Sequence, residues 1–295
     1  MKDYKEEITQ KTTKTDIIES IGSGTIIQHG KQSNRVYIMK LLKEDLALAI
    51  SHCNTIALEY GYTKIFAKVP AWATPVMKAN GYITEAQIPG FYNNSETAFF
   101  LAKFLNSDRL LDIPNDDLAG LTNLLIENPY ANKTPDFTCE YSAKVLTEQD
   151  VHYITALYKK VFDSYPFPIF EDEYILQTMK EGVVYFGVFA SSDVLAAVSS
   201  AEIDYKGKNA EMTDFATDSN FRGKSLANYL LQVMEKHLQA IGVPTAYTIS
   251  RLKEPAITKT FMKSGYLYSG TLLNNTQIAG SIETMNVFYK KIPLL

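Results

Sequence analysis

The sequence predicts a mixed α/β protein built from two halves that share one order of helices and strands. A first observation is that residues 77–82, Met-Lys-Ala-Asn-Gly-Tyr, recur in shortened form as residues 262–266, Met-Lys-Ser-Gly-Tyr. A second is that a long helical pattern upstream of each copy ends in glycine and is followed by a β-rich run. The runs that begin at Ser95 and Ser281 supply a third similarity. Similarities that occur in one fixed order indicate a duplicated unit that has diverged.

Composition limits the class of protein. The chain has 295 residues, enough for two ordinary domains, and its 46% hydrophobic and 21% charged residues are typical of a soluble globular protein. A net charge of −4 supplies no basic field for nucleic acid or an anionic membrane. The start of the chain is charged, unlike a signal peptide, and no run of about 20 apolar residues is present. We therefore expect a cytoplasmic protein with no nucleic-acid or membrane partner.

The cysteines and histidines give no sign of a metal site. Cys53 and Cys139 lie far apart in the sequence, as expected of reduced thiols in the cytoplasm. The four histidines have no ligand-like spacing with each other or with the cysteines. We therefore expect no metal, and the sequence leaves the oligomeric state open.

The predicted halves differ at the turn between a strand and the long helix. In the first half this turn lies within residues 37–45, which contain no glycine. Glu44 or Asp45 could cap the helix that follows. The corresponding turn of the second half does contain a glycine, so we expect the halves to differ in function.

A stretch rich in turn-forming residues separates the halves. It covers residues 107–136 and leaves room for one further helix within 118–126. The chain is therefore predicted to consist of a first domain at 1–106, a linker at 107–136 and a second domain at 137–295.

The second half begins with an alternating run that predicts a strand over residues 138–145. Thr147 and Asp150 then resemble a capping box, with Asp in place of Glu, at the start of a helix. Three strands follow, joined by short polar turns, and an amphipathic helix comes after them. These three strands are predicted over residues 183–190, 194–203 and 210–217.

The turn between the last of these strands and the helix is the most informative stretch. Residues 218–225, Asp-Ser-Asn-Phe-Arg-Gly-Lys-Ser, are polar and contain a single glycine. The start of a helix presents unpaired N–H groups and the positive end of the helix dipole, so such turns often bind phosphate. A Walker loop and a dinucleotide-binding loop are excluded, because neither glycine spacing is present.

The order of elements in this half resembles that of the GNAT acyltransferases: strand, two helices, three antiparallel strands, helix, strand, helix, two strands. The turn is similar to their acetyl-CoA pyrophosphate loop, Arg/Gln-x-x-Gly-x-Gly/Ala, with Arg222, Gly223 and Ala227 in agreement. Ser225 stands where the family has glycine. We expect serine to be tolerated there, because φ is negative at a helix start and the hydroxyl could cap an N–H or touch phosphate.

The resemblance implies a fold and a narrower family. The fold is α/β with a mixed sheet, in tandem GNAT-like halves of which the first is degenerate and the second is a complete acyl-CoA N-acyltransferase fold. Segments 91–103, 164–168 and 210–217 further resemble the β-lysine N6-acetyltransferases. This implies acetylation of β-lysine at N6, in the synthesis of the osmolyte N-acetyl-β-lysine. The alternatives are another amine (a polyamine or a protein lysine) and a non-catalytic acyl-CoA-binding module.

The resemblance implies that acetyl-CoA is the cosubstrate, and it assigns two segments of the chain to acetyl-CoA binding. The end of the third strand would give a backbone N–H to the thioester carbonyl, and the loop would hold the pyrophosphate through N–H groups and two cations. Without the loop, those two cations would be interpreted as a solvated surface pair. The residues implied are Phe215, Ala216, Thr217, Arg222, Gly223, Lys224, Ser225, Leu226 and Ala227.

The family's chemistry also needs a base, because the attacking amine must lose a proton. Glu211 lies where histone-type members of the superfamily carry theirs, and Asp214 is the alternative, as a base or as the partner of a substrate ammonium. Their separation of three residues along a strand predicts opposite faces of the sheet. Glu211 would reach the thioester only across a strand bulge or through water. Either residue could instead be polar and merely solvated.

Three residues are candidates for binding the acceptor. Tyr165 and Phe167 fall in the helix–loop region that covers the acceptor pocket in this fold, although they could also pack into the core. Arg251 is the candidate cation for the carboxylate of an amino acid. Phe261 stands where many family members carry the tyrosine that protonates the leaving thiolate, which leaves that step to water or another tyrosine.

Overall fold

The computed structural model describes residues 16–112, 114–127, 140–163, 165, 167–191, 193–278 and 280–294. Within these ranges the strands form one continuous sheet of 13 strands, with helices packed on it. The predicted α/β class with a mixed sheet is confirmed. Cys139 lies outside the described residues, whereas Cys53 is a buried free thiol.

From its third strand onwards the first half has the order of strands and helices that the sequence repeat predicts. Its elements are β1 (Ile17–Ile21), β2 (Thr25–Gly30), β3 (Arg35–Lys40), α1 (Leu46–Tyr60), β4 (Lys64–Pro70), α2 (Thr74–Ala79), β5 (Ile83–Tyr92) and β6 (Glu96–Phe104).

Two helices follow within the predicted linker. They are α3 (Ser107–Leu111) and α4 (Asn115–Glu127), so the helix expected within 118–126 is present. Residues 128–136 lie outside the described residues, and the domain boundaries stay a prediction.

The second half has its elements in the predicted order. The predicted capping box is also present, with the Thr147 backbone N–H donating to Asp150 Oδ2 at 2.9 Å. Residues 138 and 139 of the first predicted strand lie outside the described residues. The elements are β7 (Ser142–Val145), α5 (Val151–Val161), α6 (Asp172–Lys180), β8 (Val183–Ser191), β9 (Val194–Asp204), β10 (Asn209–Thr217), α7 (Leu226–Ala240), β11 (Thr245–Arg251), α8 (Pro255–Lys263), β12 (Leu267–Ile278) and β13 (Ser281–Lys291).

The strand order is repeated in the two halves. From edge to edge the sheet runs β1-β2-β3-β4-β6-β5-β12-β13-β11-β10-β9-β8-β7. From each edge towards the middle, β1 to β6 have the same arrangement as β8 to β13, with β7 added at the outer edge. One pair in each half is parallel, β3 with β4 and β10 with β11, and each is connected through a helix, as parallel strands require. The halves meet where β5 lies beside β12.

Helices cover both faces of the sheet in the second half. On one face α7 and α8 pack on a core that includes Met212 and Leu230, both fully buried. On the other face α5 and α6 pack on a core that includes Ile154 and Val198, also fully buried. Each such side chain contributes about 1.5–3 kcal/mol by burial. These two layers hold β9 and β10 between them.

At β5 and β12 the two halves are joined by a backbone pair and by a buried ion pair of the first half that hydrogen-bonds to β12. Gly270 of β12 is paired with Ala86 of β5. Beside them, Lys64 Nζ lies 2.9 Å from Glu85 Oε2, and these side chains are 0% and 2% exposed. Lys64 also donates to the Leu273 carbonyl at 2.7 Å, while the Leu273 N–H donates to Glu85 Oε1 at 2.7 Å. Each charged group is therefore paired with the other and also hydrogen-bonded to the backbone of β12.

A second contact between the halves involves a buried arginine from α3. Arg109 Nε donates to the Asn274 carbonyl at 2.6 Å, and its Nη2 donates to the Ser33 carbonyl at 2.8 Å. In return the Asn274 side chain donates to the Arg109 carbonyl at 2.9 Å. A guanidinium can serve several acceptors at once, so α3 ties β12 to the first half.

Gly270 is the residue on which the approach of β5 and β12 depends. Its φ is +148°, and a Cβ atom there would lie 2.1 Å from the Glu85 carbonyl oxygen and 2.8 Å from Ala86 Cα. Gly270→Ala should therefore lower the free energy of unfolding by about 3 kcal/mol or more, from backbone strain and overpacking together. Urea unfolding followed by circular dichroism measures this loss.

Gly280→Ala is the matched control. Its φ is also positive, +83°, but an added Cβ would have no neighbour within 4 Å. The free energy of unfolding of this variant should fall by only about 1–2 kcal/mol, which is the cost of a left-handed backbone at a residue with a side chain. Equal losses in the two variants would contradict the importance of the close approach.

Candidate active site

Strands β10 and β11 separate part-way along their length and open a cleft. Their parallel pairing runs only from Asn209 to Glu211 on β10, although β10 continues to Thr217. On its other side β10 stays paired with β9, and Ala216 and Thr217 have partners there. Beyond Glu211, backbone groups of β10 that point towards β11 therefore have no sheet partner among the described residues. Such a free N–H can donate to a carbonyl oxygen placed in the cleft.

A β-bulge lies in β10 beside this cleft. The register with β9 shifts between Thr213 and Ala216, and Asp214 has a φ of +55°. Before the bulge, Thr213 is opposite Ser200, and Ser200 Oγ donates to Asp214 Oδ2 at 2.6 Å. Asp214 thus lies on the same face as Thr213 and Glu211. The prediction of opposite faces is wrong, because the bulge interrupts the alternation of side chains.

Asp214 is held by two hydroxyl groups. Its Oδ1 accepts a hydrogen bond from the Tyr165 hydroxyl and its Oδ2 accepts one from Ser200. Burial raises the pKa of Asp214 above its ordinary value, against the hydrogen bonds from Ser200 and Tyr165, which lower it. The structure thus brings Tyr165 to the carboxylates, whereas the Phe167 side chain is 39% exposed.

Glu211 and Glu202 complete a group of three carboxylates, here called the acidic face. Glu202 of β9 is the register partner of Glu211, so their side chains lie on one face. Burial raises the pKa of Glu211, with a further increase from the Asp214 charge, while Lys68 and a hydrogen bond from Tyr247 lower it. Burial also raises the pKa of Glu202, and the charges of Glu211 and Asp214 raise it further, although solvent reaches this side chain.

Glu202 was not predicted from the sequence, although a signal for it exists. The turn between β9 and β10 fixes their register, and counting outward from it places Glu202 opposite Glu211. A cluster of carboxylates attracts ammonium groups, and its members resist being ionised together. The acidic face is therefore suited to a cationic amine.

The first half contributes to the surroundings of the acidic face. Lys68 Nζ of β4 donates to the Tyr247 hydroxyl at 2.8 Å, and Tyr247 is the register partner of Glu211. The ring of Phe91, from β5, lies 5.0 Å from the ring of Tyr247. No local pattern relates Lys68 to Tyr247, because they are 179 residues apart in the chain. Sequence reasoning therefore missed both.

The loop before α7 is open to solvent and has a left-handed backbone. Gly223 has a φ of +79° and Ser225 a φ of +58°. The expectation of a negative φ at Ser225 is wrong, and its hydroxyl does not cap the helix. The reason is that Ser225 precedes the first helical residue, Leu226, and completes the tight turn. The first N–H groups of α7 are consequently left for another acceptor.

The two cations of this loop are both exposed. Lys224 Nζ donates to the Tyr141 hydroxyl at 2.7 Å and also lies 5.6 Å from the ring centroid of Phe221. Arg222 likewise has an exposed side chain. Free N–H groups, a helix dipole and two accessible cations are what a phosphate group requires. The loop therefore fits the pyrophosphate of acetyl-CoA.

The corresponding turn of the first half is occupied by an acid. The Asp45 carboxylate, at the start of α1, accepts hydrogen bonds from the Ser23 N–H at 2.9 Å and the Thr25 N–H at 3.2 Å. These hydrogen bonds lower the pKa of Asp45, with that from Ser23 the largest cause. A carboxylate at this position repels phosphate, in contrast to the N–H groups and cations of the loop before α7.

The remaining predicted residues have other surroundings. Phe261 is fully buried, with its ring 5.5 Å from Phe215, and it has no proton to donate. The guanidinium of Arg251 donates to both carboxylate oxygens of Glu283 at 2.8 and 2.7 Å, and to Glu254 at 3.3 Å. A role for Arg251 with a substrate carboxylate stays a prediction, and it would have to compete with Glu283.

One cavity lies apart from the acidic face. A cavity of about 510 Å³ lies at the junction of the halves, between Asn34, Arg109 and Lys253, and none of the three carboxylates lines it.

Among the described residues, no group of three or more His, Cys, Asp or Glu side chains is arranged to hold a metal ion. Nor does this part of the chain contain a helix long and apolar enough to cross a membrane.

Comparisons with known proteins agree with this architecture. Residues 150–266 match the acetyltransferase (GNAT) family. The chain is 37% identical to the β-lysine N6-acetyltransferase of Methanococcus maripaludis over 90% of its own length and 96% of the relative's. It is 26% identical to the N-acetyltransferase YodP of Bacillus subtilis, over 93% and 98% of the two chains.

A solved structure is also similar to about half of the chain. The ribosomal-protein-S18-alanine N-acetyltransferase of Escherichia coli superposes with a TM-score of 0.46 at 15% identity, over 52% of this chain and 96% of that one. The family match and the full-length relative, rather than this superposition, decide the assignment. The chain therefore belongs to the GNAT family of acetyltransferases and is an N-acetyltransferase.

Proposed function

We propose that the chain transfers the acetyl group of acetyl-CoA to the N6 amine of β-lysine. The observation that carries the proposal is the acidic face, Glu202, Glu211 and Asp214, beside the cleft between β10 and β11. Three carboxylates suit an acceptor with two amines, since both are ammonium ions at neutral pH. The name of the Methanococcus maripaludis relative supports β-lysine as the amine, and its product would be the osmolyte N-acetyl-β-lysine.

The cosubstrate site follows from the cleft and the loop. In this proposal the N–H groups from Gly223 to Ala227, with Arg222 and Lys224, hold the pyrophosphate. A backbone N–H of residues 215–217 donates to the thioester carbonyl and stabilises the negative charge that develops on its oxygen. The open side of β10 beyond Glu211 supports this assignment.

Transfer then proceeds by direct attack of the amine. Glu211 takes a proton from the acceptor, through a water molecule, and the amine nitrogen forms a bond to the carbonyl carbon as the carbon–sulfur bond breaks. The sulfur leaves as a thiolate that takes a proton from water, because Phe261 cannot supply one. Asp214 already accepts two hydroxyl hydrogen bonds, so we assign it to binding the ammonium and keep it as the alternative base.

The first half is proposed to be a degenerate GNAT-like domain at 1–106, joined through 107–136 to the catalytic domain at 137–295. Its strand order supports this proposal. The carboxylate at the start of α1, Asp45, supports the further proposal that this half binds no acetyl-CoA of its own. The chain should then bind one acetyl-CoA molecule.

A substrate panel tests the proposed function. Thiol release with acetyl-CoA should be fastest with β-lysine, with kcat/KM about tenfold or more above that for 1,4-diaminopentane, which is the same diamine without the carboxylate. Mass spectrometry of the product should place the acetyl group on N6. Faster reaction with spermidine or with a lysine-containing peptide would favour the corresponding alternative acceptor instead.

The loop is tested by Arg222→Ala. The KM for acetyl-CoA should rise about tenfold, since one charge-assisted contact to phosphate is lost, while kcat and the KM for the amine stay close to wild type. Titration calorimetry with CoA should give about one site per chain and the same loss of affinity. Two sites per chain, or an effect confined to the amine, would contradict the assignment.

Two further variants sharpen that test. Lys206→Ala removes an exposed cation from the turn between β9 and β10 and should leave the KM for acetyl-CoA unchanged. Ser225→Gly removes the strain of a φ of +58° and restores the family residue. It should bind acetyl-CoA as tightly as wild type or more tightly.

The base is tested by Glu211→Gln. At neutral pH its kcat should fall by about 10²-fold or more. The loss should shrink at high pH, where the amine deprotonates unaided. Glu202→Gln is the control, because it removes a neighbouring carboxylate and should act mainly on the KM for the amine. If Glu211→Gln keeps its kcat while Asp214→Asn loses it, the roles of the two carboxylates are reversed.

A further inference from the structure

Lys68 is a cation of the first half that lies beside the acidic face of the second. Its Nζ donates to the Tyr247 hydroxyl at 2.8 Å and lies 5.2 Å from the centroid of that ring. The ring of Phe91 is 5.7 Å away and packs against Tyr247. Among the described residues, no carboxylate oxygen lies within 4 Å of this Nζ, so its charge is not neutralised by a direct ion pair.

Tyr247 connects Lys68 to Glu211. The two residues Tyr247 and Glu211 are register partners on β11 and β10, at the last pair before the strands separate. Their side chains therefore lie next to each other on one face of the sheet, and the Tyr247 hydroxyl lowers the pKa of Glu211. Because an ammonium group can only donate, Lys68 must use the Tyr247 oxygen as its acceptor, which leaves the hydroxyl proton for the Glu211 carboxylate.

Glu211 needs this cation because burial and the Asp214 charge disfavour its ionised form. Glu202 of β9 and Asp214 of β10 are carboxylates on the same face, and Tyr37 of β3 and Tyr247 of β11 are neutral hydroxyls. Burial and the Asp214 charge raise the pKa of Glu211, and Lys68 is the largest influence that lowers it. A protonated Glu211 could not accept a proton from the amine.

We propose that Lys68 is a positioning residue for acetyl transfer, which acts through the Tyr247 hydroxyl to keep Glu211 ionised and oriented towards the acceptor. This inference rests on the proposed function in taking Glu211 as the base. The active site of the second half is then completed by a side chain of the first. The first half would be required for catalysis although it binds no cosubstrate.

The pH dependence of kcat/KM for the amine, at saturating acetyl-CoA, tests the proposal. In wild type, kcat/KM falls at low pH as Glu211 becomes protonated. Lys68→Met retains the length and apolar stem of the side chain but removes its charge. It should move this acidic limb to higher pH by about one unit or more, as expected for loss of a nearby opposite charge.

Two further variants make the result specific. Lys68→Arg keeps the charge and should leave the acidic limb close to that of wild type. Tyr247→Phe keeps the ring against Phe91 but removes the hydroxyl that connects Lys68 to Glu211. It should shift the acidic limb of kcat/KM in the same direction as Lys68→Met, by a smaller amount. It also replaces Lys68→Met as the test if that variant does not fold, which urea unfolding reports.

Other outcomes would overturn the proposal. Lower activity in Lys68→Met with an unmoved acidic limb would mean that Lys68 only supports the fold. A rise in KM for β-lysine but not for 1,4-diaminopentane, again with an unmoved limb, would mean that Lys68 binds the substrate carboxylate. Glu211→Gln separates this from the proposed function: if the acidic limb stays at its wild-type pH in that variant, instead of moving up to the pH range where the amine itself deprotonates, Glu211 is not the base and the proposed mechanism itself is wrong.

Discussion

The close approach of β5 and β12 at Gly270 is the constraint on which the arrangement of the two halves depends. A side chain at this position would meet the Glu85 carbonyl, so only glycine lets the sheet continue from one half into the other. The buried pair of Lys64 and Glu85 then fixes β12 through both polar groups of Leu273. Removing one member of such a pair would cost about 3–5 kcal/mol, because the other charge would stay buried and unpaired. Burial there thus gives the junction one geometry.

A second constraint, the bulge at Asp214, decides the chemistry of the site. A left-handed aspartate costs about 1–3 kcal/mol, and the hydrogen bonds from Tyr165 and Ser200 offset part of that cost. In return, residues that would alternate along β10 converge on one face. Glu211 and Asp214 thereby join Glu202, and all three lie beside the cleft where β10 leaves β11.

Features with a local cause could be predicted from the sequence, and features that arise from distant pairing could not. The order of elements, the capping box at Thr147 and the strand-to-helix loop depend on neighbouring residues, and their patterns were sufficient. The φ of Ser225 and the face of Asp214 depend on one residue's backbone, which the general preferences for helix starts and strands do not fix. Lys68 of β4 and Tyr247 of β11 meet although four strands separate β4 from β11 in the sheet, because side chains of the two halves pack together there.

The acidic face explains why a half without a phosphate loop could be retained. Burial, with a further contribution from neighbouring carboxylate charges, raises the pKa values of Glu202 and Glu211, so a positive charge nearby is needed to favour their ionised forms. Lys68, held by Tyr247 from across the junction, supplies positive charge without covering Glu211. In our proposal, the first half, whose own strand-to-helix turn holds the Asp45 carboxylate, thus has an electrostatic role in the active site of the second half.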